Sequence, residues 1–135
     1  MTGADLLRRH LAELTREVGV EGEVIEEGMR LYVLLHKVPL PEGLFQLEES
    51  DVLFMTDQQY PFSAMDMFWT EEGVIRPDGS IPQNAESIEA YLGRQWRRFS
   101  WHRNEVWNPN GNPLLDHYAF MEARWDAERQ QRQAA

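Results

Sequence analysis

Residues 59–69, QYPFSAMDMFW, decide the fold of this chain, and the loop sequence RPDGSIP at residues 76–82 follows closely. Large apolar side chains occupy every second position from Met65 to Trp69, which predicts the inward row of a β-strand. Residues 71–84 are rich in Gly, Pro, Asp and Asn, which predicts an ordered surface loop without regular structure. The centre of the chain is therefore a strand followed by a long connection.

Hydrophobic periodicity on either side predicts an α+β fold. Leucines recur at helical spacing within residues 2–17, and Gly19 ends the helix they predict. The period then changes to two, and the apolar run 31–35 predicts a central strand in a four-stranded antiparallel meander joined by short turns. Helical spacing returns at residues 85–99 and again from about 113 to 129, which predicts C-terminal helices.

Length and composition favour one folded domain. The chain has 135 residues, of which 42% are hydrophobic and 11% aromatic, enough for a single core. We predict one domain over residues 1–129 and a short polar tail over 130–135. There is no cysteine, which excludes disulfides and thiolate metal ligands, and the four histidines have no short metal-ligand spacing. The sequence therefore predicts no metal and no cofactor.

Charge and hydropathy restrict the class of partner. The net charge is −10, and the acidic excess lies in the first part of the chain, with 15 acidic and 5 basic residues up to Ile75 and 8 of each from Arg76 onward. Such a surface repels phosphate groups, so nucleic acid is not an expected partner. No apolar stretch approaches the roughly 20 residues of a membrane span, and the first residues do not resemble a signal peptide. We expect a cytoplasmic protein without a membrane partner.

An ordered series of aromatic and proline landmarks runs through roughly residues 20 to 125. It consists of Tyr60–Phe62, Asp66–Trp69, Gly79–Pro82, Arg94–Arg97, Ser100–Arg103, Trp107–Pro109 and Asp116. The series resembles the ubiquitin-conjugating (E2/UBC) superfamily and, within it, the bacterial E2-like group called prokaryotic E2 family E. The resemblance implies an E2/UBC-like fold with an N-terminal helix, a four-stranded meander, a long active-site-type loop and C-terminal helices. It also implies E1-like activating and ubiquitin-like proteins as partners.

The position where E2 enzymes carry their nucleophilic cysteine has no thiol here. The Gly-Ser-Ile context places Pro82 at that position, whereas counting from Tyr60 places Ala85 there. Asp78 stands in an Arg-Pro-Asp sequence where E2 enzymes have His-Pro-Asn. The Asn of that motif donates a hydrogen bond to the oxyanion, and an ionised Asp only accepts. The sequence therefore predicts that this chain forms no thioester.

Two other residues remain as catalytic candidates. Ser80 is the hydroxyl nearest the vacant position, but no adjacent residue in the sequence could activate it. His102 lies in an irregular segment that the resemblance places near the active-site face, where it is either a general base or a packed structural residue. Asp78 is the third member of this group.

The partner-binding residues are implied by resemblance to the docking regions of E2 enzymes. Tyr60, Pro61 and Phe62 lie in the loop that such enzymes use for E1 and ligase docking, and Trp101 and Arg103 belong to a segment that can leave an aromatic residue exposed. The first hypothesis is a non-thioester binding or scaffold protein, in effect a pseudoenzyme. The alternative is a cysteine-independent acyl transferase, and the third is an acidic interaction domain unrelated to conjugation.

Overall fold

The computed structural model describes residues 1–134 of the chain. Its helices and strands, in chain order, are α1 (Gly3–Val18), β1 (Gly22–Glu27), β2 (Arg30–Pro39), β3 (Glu49–Asp57), β4 (Phe68–Thr70), β5 (Ile88–Tyr91), β6 (Arg94–Phe99) and α2 (Pro113–Ala134). The strands form one antiparallel sheet in the order β1-β2-β3-β4-β6-β5. The predicted α+β class, with its N-terminal helix, antiparallel meander, long loop and C-terminal helix, is confirmed, although the sheet has six strands.

Helix α1 begins and ends where its sequence places the signals. Thr2 and Asp5 form a capping box, in which each side chain accepts the backbone N–H of the other. Gly19 ends the helix in the left-handed conformation, with φ of 75°. The leucine stripe predicted from the sequence faces the sheet and is buried at Leu7 and Leu14.

The meander β1 to β4 is built around a second strand whose residues 31–35 are all apolar. Strand β2 pairs with β1 on one side and β3 on the other, and Leu31, Tyr32 and Val33 are all buried although they point to alternate faces. The predicted central position is therefore confirmed. Strand β4 is shorter than expected, and of the predicted row only Trp69 lies inside it.

The helix predicted over residues 85–99 is wrong, because this segment is the hairpin β5-β6. The turn residues Leu92 and Gly93 have φ of 54° and 74°, which a right-handed helix does not allow and a two-residue hairpin turn requires. Strand β6 then pairs with β4, with Phe99 opposite Phe68. The apolar spacing that favoured a helix also fits a strand on which Trp96 is buried.

Helix α2 is the C-terminal helix of the described residues, and it is longer than predicted. Asn112 caps it by accepting the Leu115 N–H at 3.0 Å, with Pro113 in the first turn. Residues 130–134, predicted to be a polar tail, continue the helix, while residue 135 lies outside the described residues. Asn112 also donates to the carbonyl of His10 at 3.1 Å, which joins the start of α2 to α1.

Both helices pack on one face of the sheet, and that layer contains the main core. The opposite face buries a smaller cluster of four residues: Tyr32, Leu53, Trp69 and Trp96. Side chains of the sheet and the β5-β6 turn cover this cluster, including Arg94, whose guanidinium carbon lies 4.3 Å from the Trp96 ring centre. The loops that follow β3 and β4 contact α2, through Met67 and His117 in the first and Arg76 and Glu128 in the second.

Candidate functional site

The loop after β4 carries the residues predicted for the vacant catalytic position. Its tip is a closed turn in which the Arg76 N–H donates to the Ser80 carbonyl at 3.0 Å, and Gly79 has φ of 87°. The Ser80 hydroxyl and backbone N–H both donate to Asp78 Oδ1, at 2.6 and 2.9 Å. These hydrogen bonds lower the pKa of the Asp78 carboxyl, which makes it a weak base. Ser80 and Asp78 therefore stabilise a surface turn and do not form an activated nucleophile.

Neither position that corresponds to the E2 cysteine presents a side chain to solvent. Pro82 is buried, and Ala85 is fully buried in the main core. The Ala85 N–H donates to the Pro82 carbonyl at 3.1 Å, and the Ala85 carbonyl accepts Arg97 NH1 at 2.7 Å. At both positions the side chain therefore lies in the protein interior.

Helix α2 binds the loop after β4 through an ion pair. Arg76 donates from Nε to one oxygen of Glu128 and from NH2 to the other at 3.3 Å, and Glu128 is 6% exposed. One turn later, Arg132 donates to the carbonyl of Gly43 at 2.8 Å. A shallow cavity of about 360 Å³ between the loop and α2 includes Ser80 in its lining.

His102 lies apart from Ser80 and lines a different cleft. Its Nδ1 is in contact with Asp66 Oδ2, and the other oxygen of Asp66 accepts the Arg103 backbone N–H at 3.3 Å. The His102 side chain is 71% exposed, so its Nε2 edge is open to solvent. His102 therefore contacts the Asp66 carboxylate, which the sequence analysis did not single out. It does not line the same cavity as the Ser80 hydroxyl.

His117 is a buried histidine whose role the sequence did not reveal. Its Nε2 lies 2.8 Å from the Met67 carbonyl, and its Nδ1 lies 3.5 Å from Arg103 NH1. A carbonyl and a guanidinium fix the tautomer, because the first only accepts and the second only donates. Burial lowers the pKa of His117 to about 4. The only sequence signal was its place on the apolar stripe of α2.

In the loop after β3, Tyr60 and Pro61 anchor the backbone, and Phe62 is exposed to solvent. Tyr60 is buried with its hydroxyl 2.7 Å from His10 Nδ1, and burial raises the pKa of that hydroxyl. The carbonyl of Pro61 accepts the Trp107 indole N–H at 2.7 Å. Phe62, the next residue, is 77% exposed. Of the three residues predicted to contact a partner here, Phe62 is exposed, Pro61 is half-buried and Tyr60 is buried.

Comparison with known protein families identifies the family to which this fold belongs. The family model described as Prokaryotic E2 family E matches residues 7–128, which is most of the chain. The chain belongs to this family. It is thus a bacterial E2-like protein, related to ubiquitin-like conjugation. No curated protein and no solved structure matches the chain significantly.

The remaining partner-binding candidates of this E2-like protein, Trp101 and Arg103, are half-buried. Arg124 of α2 stacks on Trp101, and Arg103 lies 5.2 Å from the Trp107 ring centre. Within residues 1–134, no three His, Cys, Asp or Glu side chains are grouped to hold a metal ion. No helix in that part of the chain is both long and apolar enough to cross a bilayer.

Proposed function

We propose that this E2-like chain is a non-thioester binding component of a bacterial ubiquitin-like conjugation pathway, holding an E1-like activating protein, a ubiquitin-like protein, or both. One observation carries the proposal: the loop after β3 is anchored at Tyr60 and Pro61, the two residues that directly precede an exposed Phe62. The position of the E2 nucleophile, in contrast, is a buried proline or alanine. A chain arranged in this way can dock partners although it offers no sulfur.

The anchoring of the loop favours binding by reducing its entropic cost. The hydrogen bonds of Tyr60 and Pro61 fix the backbone before any partner arrives, so little conformational entropy is lost on association. Phe62 then contributes about 2 kcal/mol when it becomes buried in a partner pocket. Val106, 93% exposed, is a second exposed apolar side chain, on the segment whose Trp107 binds the Pro61 carbonyl.

Titration of the purified chain with the E1-like and ubiquitin-like proteins of the same genome tests the proposal. We expect Phe62→Ala to weaken the complex by about 2 kcal/mol, or roughly thirtyfold. Met29→Ala is the matched control, because Met29 is a 64% exposed apolar residue in the β1-β2 turn, and it should bind as the unchanged chain does. No association with either partner would defeat the proposal.

A cysteine-independent acyl transferase is the second candidate, and the contact between His102 and Asp66 favours it. A carboxylate at Nδ1 orients the ring and leaves Nε2 to accept a proton or an acyl group. In the Ser80 form of this reaction, the acyl group passes from an E1 thioester to the hydroxyl oxygen, and the released thiol takes the hydroxyl proton. Asp78, as a weak base, gives this form little support.

Incubation with the E1-like protein, ATP and the ubiquitin-like protein separates the two candidates. A hydroxylamine-sensitive adduct on the chain, lost in Ser80→Ala or in His102→Ala, would favour the transferase. Stable binding without an adduct would favour the docking component. The Met29→Ala chain serves again as the control that should not alter either result.

A further inference from the structure

A cleft of about 540 Å³ lies between the irregular segment that follows β6 and one side of helix α2. Two arginines line it, Arg103 from the segment and Arg124 from the helix. Neither guanidinium has a carboxylate within 4.0 Å among the residues described, whereas Arg8, Arg94 and Arg98 each form such an ion pair. The cleft therefore contains two positive charges that the fold itself does not neutralise by contact.

Arg124 is held in place by stacking and not by hydrogen bonds. Its guanidinium carbon lies 3.4 Å from the ring centre of Trp101, which fixes the plane of the group. Its Nε is buried and has no hydrogen-bond partner in the part of the chain that the structure describes. A buried donor without a partner costs free energy, so the described residues leave the hydrogen-bonding capacity of this guanidinium incompletely used.

Arg103 is oriented in the same way from the other wall. Its guanidinium carbon lies 5.2 Å from the Trp107 ring centre and 5.7 Å from that of Phe120. One terminal nitrogen faces the acceptor Nδ1 of His117 at 3.5 Å. The other donors of this planar group stay available, since a guanidinium has five N–H groups.

We propose that this cleft binds a single carboxylate on a peptide segment of a protein partner, with Arg103 and Arg124 as the binding residues. Two preoriented planar groups suit a carboxylate, because a guanidinium can donate two parallel hydrogen bonds to its two oxygens. Their aromatic supports reduce the side-chain entropy lost on binding.

The acidic groups of the cleft set the specificity. Glu105 and Asp116 also line it, and His102 at its edge contacts Asp66. These carboxylates repel ligands with several negative charges. They accept the backbone N–H groups that flank a carboxylate in a peptide, which favours a peptide end or an isolated acidic side chain over phosphate.

This inference deepens the proposed function, on which it rests, by naming the chemistry of the partner at Trp101 and Arg103. Its test uses peptides and not the E1-like protein, so the two can fail separately. Peptide binding without Phe62-dependent partner binding would overturn the proposed function alone. Partner binding without peptide binding would overturn the cleft alone.

Titration of the ¹⁵N-labelled full chain tests the cleft, with the indole N–H resonance of Trp101 as the probe. The ligands are acetyl-Ala-Ala-Ala with a free carboxylate, the same peptide as its amide, and acetyl-Ala-Asp-Ala amide, all at one pH and ionic strength. We expect the resonance to shift with at least one carboxylate peptide and not with the neutral amide. The responding peptide identifies a chain end or a side chain as the source. No shift with either carboxylate, or an equal shift with the neutral amide, would overturn the proposal.

Variants of α2 locate the binding residues. We expect Arg124→Gln to weaken carboxylate binding by about tenfold or more, and Arg124→Lys to weaken it less because the charge remains. Arg129→Gln is the matched control, since Arg129 lies on the same helix and pairs with Asp126 at 3.2 Å. Unchanged binding by a folded Arg124→Gln chain would overturn the proposal. If that chain does not fold, the comparison of acid and amide on the unchanged chain still decides.

Discussion

The loop at residues 76–82 and the loop at residues 60–63 both follow a strand of the same sheet, yet they use their side chains in opposite ways. The first directs Pro82 inwards and joins Ser80 to Asp78 in a closed turn. The second uses Tyr60 as a buried anchor and leaves Phe62 in solvent. In this E2-like protein the position that corresponds to the E2 cysteine is therefore a buried structural element, while the loop at residues 60–63 exposes the side chain that we propose for docking.

The largest effect is expected from protonation of His117, which contacts the Met67 carbonyl and Arg103. Its pKa in the folded chain, about 4, lies below the ordinary value of 6.5, so the unfolded chain binds more protons between these values. The free energy of unfolding is therefore independent of this group above pH 6.5. It decreases by about 3 kcal/mol in total as the pH falls from 6.5 towards 4.

Nuclear magnetic resonance of the His117 ring gives the direct measurement. We expect the neutral tautomer with the proton on Nε2 to persist in the folded chain down to about pH 5, because Met67 accepts that proton. Protonation of the His117 ring itself in the folded chain above pH 6 would contradict this account.

The second effect concerns the loop at residues 76–82. Glu128→Gln removes the charge that pairs with Arg76, and we expect a loss of about 2 kcal/mol in the free energy of unfolding. Urea denaturation measures the loss, and hydrogen exchange should become faster at Ser80 and its neighbours. Asp126→Asn is the control, because its exposed pair with Arg129 is worth little. Equal effects of the two substitutions would show that α2 does not hold the loop.

The third effect tests the anchor of the loop at residues 60–63. Tyr60→Phe removes the hydroxyl that contacts His10, and we expect a loss of about 1 kcal/mol together with weaker partner binding. Denaturation and titration measure the two quantities. If stability falls and partner binding does not change, the anchoring of Phe62 has no part in docking.

The smallest effect is expected at Ser80. The residue is exposed and bonds only within its own turn, so Ser80→Ala should change stability by less than about 0.5 kcal/mol and leave partner binding unchanged. A loss of binding in this variant would move the functional surface to the loop at residues 76–82.

Local signals in the sequence predicted much of this fold, and long-range contacts account for what they missed. The leucine spacing and Gly19 predicted α1, and the period of two predicted β2, since both patterns depend on near neighbours. The hairpin β5-β6 was missed because apolar residues at its short spacing fit a helix equally well, and Gly93 in the turn was the overlooked signal.

The candidate site was harder to predict for the same reason. Glu128 is 52 residues from Arg76, and His10 is 50 residues from Tyr60. No periodicity relates residues so far apart, so the sequence could not show that Tyr60 is an anchor and Phe62 is exposed. The lost nucleophile, in contrast, could be read directly, because the chain has no cysteine.

The most direct test of the central claim is a paired titration of the E1-like and ubiquitin-like proteins against Phe62→Ala and Ser80→Ala chains. We expect Phe62→Ala to lose roughly thirtyfold in affinity for at least one partner. The Ser80→Ala chain should bind both as the unchanged chain does. Loss of affinity in Ser80→Ala with full affinity in Phe62→Ala would contradict the assignment of docking to the loop at residues 60–63.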